Sequence, residues 1–171
     1  MKAKFVWAAL IVAAVSHFAF IQAAPRVLTG VAIERLGDGG FNQWRLAPRV
    51  TEQSRAIVRP SPDFAYSACA FDLSDGPIMI QVTPWEGYWS LSLYAANSDN
   101  FYVVNDREAR AGANIVLSRH AHREDDESTA TFVRSPTTKG IALIRRLAPT
   151  PTAYAAASQV AQADVCAAVA N

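Results

Sequence analysis

The chain has 171 residues, 51% of them hydrophobic, with 16 Lys and Arg against 15 Asp and Glu and a formal net charge of +1. That length leaves room for one ordinary domain beside a short targeting segment, with enough apolar residues for a real core. So even a balance, with the basic residues scattered rather than striped, excludes an electrostatic nucleic-acid binder.

The N-terminus accounts for part of the apolar excess. Met1-Lys2-Ala3-Lys4 is a short basic head, and Phe5 to Ala24 follows without a formal charge. About 20 apolar residues span a bilayer, whereas the core of a cleavable signal is about 7 to 15 residues long. Ile21-Gln22-Ala23-Ala24 is a poor small-x-small cleavage pattern, and Pro25 would directly follow the cut. Residues 1–24 are therefore expected to be an uncleaved membrane helix, with a cleaved signal as the alternative. In both readings the basic head stays inside and the remainder lies outside the cytoplasm.

Residues 25–60 read as a short helix and an irregular lead-in. Leu28, Val31, Ala32 and Leu36 sit at helical spacing from Arg26 to Gly37, and Gly37 would end that helix. Gly37 to Gly40 is a loop, and Phe41 to Pro60, with Pro48 and Pro60, shows little periodicity.

Residues 61–171 carry short strands separated by turn signals. Tyr66 to Leu73 alternates, with Ser67, Cys69, Phe71 and Leu73 on one face. The Ser74 to Pro77 turn leads into Ile78 to Thr83, and Pro84 to Gly87 turns into a strand with Trp89, Leu91 and Leu93 on one face. Tyr88 and Tyr94 fall on the opposite, Ser-bearing face. Further runs are Phe101 to Val104, Asn114 to Ser118, Thr129 to Arg134 and Gly140 to Leu147. This spacing predicts a mainly β fold, an antiparallel jelly-roll-like β-sandwich. Pro149 and Pro151 end the last strand. Thr152 is expected to cap an Ala-rich helix from Ala153 to Val169.

The linear signatures of common catalytic sites are missing: no nucleophile elbow, zinc-protease helix, phosphate-cradling glycine loop or dinucleotide fingerprint. His120 and His122 flank one residue ahead of Glu124, Asp125, Asp126 and Glu127, but a His-x-His without a third ligand at fixed spacing reads as a solvated hairpin loop. Asn97, Asp99, Asn100, Asn105 and Asp106 offer oxygens for calcium, yet Asn and Asp also build turns through their own backbone bonds. No metal or other cofactor is expected. The binding candidates are Tyr88, Tyr94, Asp99, Asn100, Asp106 and Arg107, an aromatic and polar set around one strand pair. Cys69 and Cys166 are the only cysteines. An oxidising compartment favours pairing them, against the alternative of two buried thiols.

The stretches "RPSPDFAYSACAFDLSDGPIMIQV" and "YWSLSLYAANSDNFYVVND" resemble the bacterial domain-of-unknown-function family 1254. Pro62-Asp63 ahead of Tyr66-Ser67, the Asp72-Leu73-Ser74-x-Gly76-Pro77 turn, Tyr88-Trp89-Ser90 and Asp99-Asn100-Phe101 match its signature in order. The resemblance implies a β-sandwich and no established reaction. Longer members are similar but carry a second sandwich of companion family 1214. The chain looks like a short, membrane-tethered version, single-pass in the inner membrane with its domain in the periplasm. The leading functional expectation is a non-catalytic interaction module, with a separate family-1214-type protein as partner. The alternative is a hydrolase on an envelope or carbohydrate-like substrate, working near Asp99, Asp106, Tyr88 and Tyr94.

Overall fold

A computed structural model describes residues 2–55, 59–120 and 129–169. The first element, helix α1 (Lys2–Gly37), is 36 residues long, about 54 Å at 1.5 Å per residue. It does not divide at Ala24: Pro25 lies inside it. A proline removes one helical hydrogen bond and crowds the preceding turn. Arg26 reaches back over that turn, donating from Nη1 to the Gln22 carbonyl at 2.5 Å and to its side-chain oxygen at 2.9 Å. The helix is long and apolar enough to cross a membrane, and its N-terminal two thirds is exposed.

Its last two turns are not. Thr29, Gly30, Ala32, Ile33 and Leu36 turn toward the domain, Ile33 being 5% exposed, and they pack against β2 (Phe64–Asp72) and β8 (Lys139–Leu147). The expected stripe was Leu28, Val31, Ala32 and Leu36, but Leu28 and Val31 are exposed. The docked face is rotated by about one residue from that stripe. The helix ends at Gly37, as its glycine implied.

The lead-in is irregular except for β1 (Arg45–Leu46), which pairs with β2. Seven predicted strands are present: β2, β3 (Ile78–Val82), β4 (Trp89–Ala95), β5 (Asn100–Asn105), β6 (Ala113–Ser118), β7 (Thr131–Arg134) and β8. With β1 and a C-terminal strand, β9 (Val165–Ala168), they form a five-stranded sheet, β1-β2-β8-β4-β5, facing a four-stranded one, β7-β6-β3-β9. The first is antiparallel. The second is mixed, because β6 and β7 run parallel, which corrects the all-antiparallel expectation. The strand order makes a two-sheet sandwich, with the chain crossing between the sheets from β2 to β3, from β3 to β4 and from β5 to β6.

The core lies between the sheets. Phe71, Trp89, Leu91, Leu93 and Ile144 from the larger sheet meet Ile78, Ile80, Ile115 and Leu117 from the smaller. The alternation read in the sequence puts these residues on the inner faces, including Trp89.

The C-terminus departs most from expectation. Helix α2 is short (Pro151–Val160), and Thr150 rather than Thr152 caps it, accepting from the Ala153 amide at 3.1 Å with Pro151 in the first turn. A 3-10 turn (Ala161–Ala163) follows, and then the chain is a strand, β9 (Val165–Ala168), where a helix to Val169 was predicted. Alanine favours helix by fractions of a kcal/mol per residue. Against that, β9 completes the edge of β3, with Cys166 opposite Ile80. The Val165 carbonyl also accepts from the Trp44 indole at 2.8 Å. Tertiary pairing overrides local propensity here. Cys69 and Cys166 are bonded, as the pairing argument required, with Cα atoms 6.8 Å apart. The bond joins strand to strand across the sandwich, not helix to strand.

Candidate functional site

The six candidate residues gather at opposite ends of one strand pair. Tyr94, Asp99 and Asn100 surround the β4–β5 hairpin; Tyr88, Asp106 and Arg107 lie where β4 begins and β5 ends. Asp99 and Asp106 flank the six residues of β5, so about 20 Å of strand separates them. Paired carboxylates in glycoside hydrolysis stand about 5 to 10 Å apart. The fold does not bring these two together.

Each polar end is occupied with turn chemistry. Asn97 donates from Nδ2 to Asp99 Oδ2 at 2.6 Å and accepts the Asp99 amide at 3.3 Å, while Ser98 sits at φ 74°. At the far end the Arg107 amide donates to Asn105 Oδ1 at 2.9 Å, and the Glu108 and Ala109 amides donate to the Asn105 carbonyl. These are the local side-chain bonds that make Asn and Asp good turn residues. Asn100 is exposed, and the buried Asp106 Oδ1 has no hydrogen-bond partner among the described residues. Tyr88 is 46% exposed and packs edge-on against Phe64, centroids 6.0 Å apart; Tyr94 is half-buried. Tyr102, on the inner side of β5, has its phenol pushed up first by burial and then by Glu108.

Among the described residues no three His, Cys, Asp or Glu side chains come together as a ligand set. His120 is exposed; His122 and Glu124 to Glu127 lie outside the described residues.

Three polar constellations went unread in the sequence. Asn42 donates from Nδ2 to the Asp72 carbonyl and accepts its amide, at 2.9 and 2.8 Å, while its own amide bonds to Ala70. A single side chain thus extends the edge of β2 and fastens the lead-in to it. Asp72 itself accepts the Ser74 amide and hydroxyl at 2.9 and 2.6 Å and pairs with Lys139 at 3.1 Å. Burial alone would raise this carboxyl, but the Ser74 bonds and Lys139 outweigh it and hold it below its usual value. A carboxyl depressed in the folded state contributes stability above its unfolded value near 3.8, which is lost as pH falls through the folded value. Below about pH 4, Asp72→Asn is therefore expected to flatten the acid side of the unfolding midpoint against pH. At neutral pH it should cost less than about 1 kcal/mol, since Lys139 is half exposed. An unchanged acid limb in the variant would count against it.

The third constellation is buried. Arg146 is on β8, in phase with the core residues Ala142 and Ile144, and its side chain is 2% exposed. Its guanidinium grips Asp164 with Nη1 to Oδ2 at 2.8 Å and Nη2 to Oδ1 at 2.7 Å, and Nη2 also donates to the Thr83 carbonyl at 3.0 Å. The Thr83 amide donates back to Asp164 Oδ1 at 2.9 Å. The strand phase alone pointed to it: Gly140, Ala142, Ile144 and Arg146 share a face, and an inward arginine requires a partner.

The profile of a family described as "Protein of unknown function (DUF1254)" matches residues 41–167. No curated protein matches the chain. Among solved structures, the VPA0106 protein from Vibrio parahaemolyticus is similar with 13% identity and TM-score 0.67, over 88% of this chain and 37% of its own. An uncharacterized protein from Burkholderia cenocepacia is 13% identical over 64% of this chain and 32% of its own, with TM-score 0.47. The chain thus spans well under half of each of these proteins, and at such identity the likeness to the Vibrio structure shows the fold alone.

Proposed function

The chain belongs to the DUF1254 family, and we propose that it is a membrane-anchored envelope protein whose β-sandwich works by interaction rather than catalysis. The observation that carries this reading is the continuity of α1. One helix runs from the apolar segment into two turns docked on β2 and β8. Anchor and domain are then one stiff piece, as suits a module held at a membrane surface. The Cys69–Cys166 disulfide suits an oxidising compartment. With the Lys2 and Lys4 head inside, that compartment is the periplasm, and the membrane is the inner one.

The surface at Tyr88, Tyr94, Asp99, Asn100, Asp106 and Arg107 is kept as a candidate contact region on the flank of the larger sheet. The proposed partner is a separate β-sandwich protein of the family-1214 type. In support, this chain covers 37% of the Vibrio chain, so a domain of this kind occurs there with further structure attached.

Membrane fractionation tests the anchor. The chain is expected in the pellet after sodium carbonate extraction, with Met1 or Lys2 as its first residue and both cysteines refractory to alkylation. N-terminal sequencing that begins at Ala24 or later removes the anchor. Co-expression of the full chain with a family-1214-type protein tests the partner, and separate elution in detergent would dismiss it.

A further inference from the structure

The outer face of the five-stranded sheet carries an unanswered positive charge. Arg145 alternates with the inward Ile144 and Arg146, so it stands on the outer side of β8. The register sets Ser90 of β4 directly beside it, Asn105 of β5 beyond Ser90, and Tyr66 of β2 on its other flank. Arg145 is half-buried; its side chain donates from Nη2 to Ser92 Oγ at 3.2 Å, and its Nε is buried without a partner among the described residues. Ser90 is 2% exposed, and its hydroxyl also lacks a partner among the described residues.

Among the described residues no carboxylate pairs with Arg145. The one acidic residue pointing outward from these strands, Asp72, is taken by Lys139. Arg45, opposite Ala68 at the other side of β2, adds a second arginine on the same face whose Nε is buried and unpartnered. A buried donor left unsatisfied costs about 1 to 3 kcal/mol, so the Ser90 hydroxyl and Arg145 Nε, orphaned side by side, mark a place where an acceptor belongs. Next to them, Phe64 packs against both Tyr66 and Tyr88, at 6.2 and 6.0 Å between centroids, and Tyr88 and Leu147 are partly open to solvent. The planar guanidinium fork matches two oxygens of a carboxylate or phosphate.

We propose that the row Asn105–Ser90–Arg145–Tyr66 binds an oxyanion, the carboxylate or phosphate of a molecule whose apolar part lies along Phe64 and Tyr88. The site stands whether or not the chain is anchored. Because α1 packs on the same sheet, a phospholipid headgroup and a free phosphate are two sources of the same chemistry.

Two arms separate them. In the first, the full chain in neutral detergent is titrated with sodium phosphate against sodium chloride at equal ionic strength, following the unfolding midpoint. In the second, the full chain sits in phosphatidylcholine vesicles with or without phosphatidylglycerol, and hydrogen exchange of β4 and β8 is compared. A saturable rise in the first arm assigns a soluble ligand; added protection in the second alone assigns a headgroup. In whichever arm responds, Arg145→Gln should weaken the response about tenfold or more, as loss of a charge-assisted bond requires. Arg145→Lys, which keeps the charge without the fork, should fall between. Ser90→Ala removes a buried hydroxyl with no partner among the described residues, so it should weaken the response while the phosphate-free midpoint holds or rises. No response in either arm, as an ordered water serving both orphaned groups would give, overturns the proposal. So does a response that survives Arg145→Gln.

Discussion

Asp164→Ala is expected to destabilise the folded chain by about 3 to 5 kcal/mol, the usual consequence of removing one partner from a buried ion pair. The cause is the charge left behind. Arg146 remains between the sheets with its side chain 2% exposed, and the Thr83 carbonyl becomes its one strong acceptor. The Thr83 amide loses its partner as well. For a domain of this size about 2 to 4 °C of midpoint accompanies each kcal/mol, so the thermal midpoint should fall by about 10 °C or more. Arg146→Met alone strands Asp164 in the same way. Arg146→Met with Asp164→Leu removes both charges and should recover most of the loss, because an apolar pair of similar volume needs no counter-ion. Thermal unfolding of the four proteins in detergent checks this. A double variant as unstable as either single one would show that the pair does more than neutralise itself.

Reducing the Cys69–Cys166 bond is expected to cost about 2 to 5 kcal/mol. The two cysteines are 97 residues apart in sequence, so the bond closes most of the sandwich into one loop and restricts the unfolded chain accordingly. Cys69→Ala with Cys166→Ala should reproduce the effect in the absence of reductant. The loss should begin locally: β9 is an edge strand of four residues, and without the disulfide it is held by Asp164, Trp44 and its pairing with β3. Hydrogen exchange should therefore rise first in residues 165–168 and only later in β2. Because Asp164 and Cys166 fasten the same segment, their losses should not add. Equal midpoints for reduced and oxidised chain would remove the bond from the stability of the domain.

The functional segment shows how far local chemistry reaches. Asn97, Asp99 and Asn105 were legible as turn formers, and the structure finds them bonding their own turns. Tyr88, Tyr94, Asp99, Asn100, Asp106 and Arg107 were grouped by nearness in sequence. A six-residue strand, β5, carries Asp99 and Asp106 to opposite ends. Arg145 and Ser90 lie 55 positions apart in sequence, and only the pairing of β4 with β8 sets them side by side. Ser90 read as a solvent-facing residue because the strand alternates. It is 2% exposed, with Arg145 and Asn105 on either side of it across the sheet.

By itself the sequence determined which residues face inward, since period-two alternation in β2, β4 and β8 is a local property of extended chain. It also determined the apolar length of α1, the glycine that ends it and the presence of two cysteines able to pair. Tertiary structure alone decided the state of the C-terminus. The helix expected from Asp164 to Ala168 rested on Ala167, Ala168 and the alanines before them, a preference worth fractions of a kcal/mol per residue that Asp164, Val165 and Cys166 do not share. The open edge of β3, the Arg146 guanidinium and the Cys69 thiol each offer more than that, and all three lie more than fifteen residues away in sequence. The same holds for the last turns of α1. Their periodicity showed that a face would be buried, but contact with β2 and β8 decided which one.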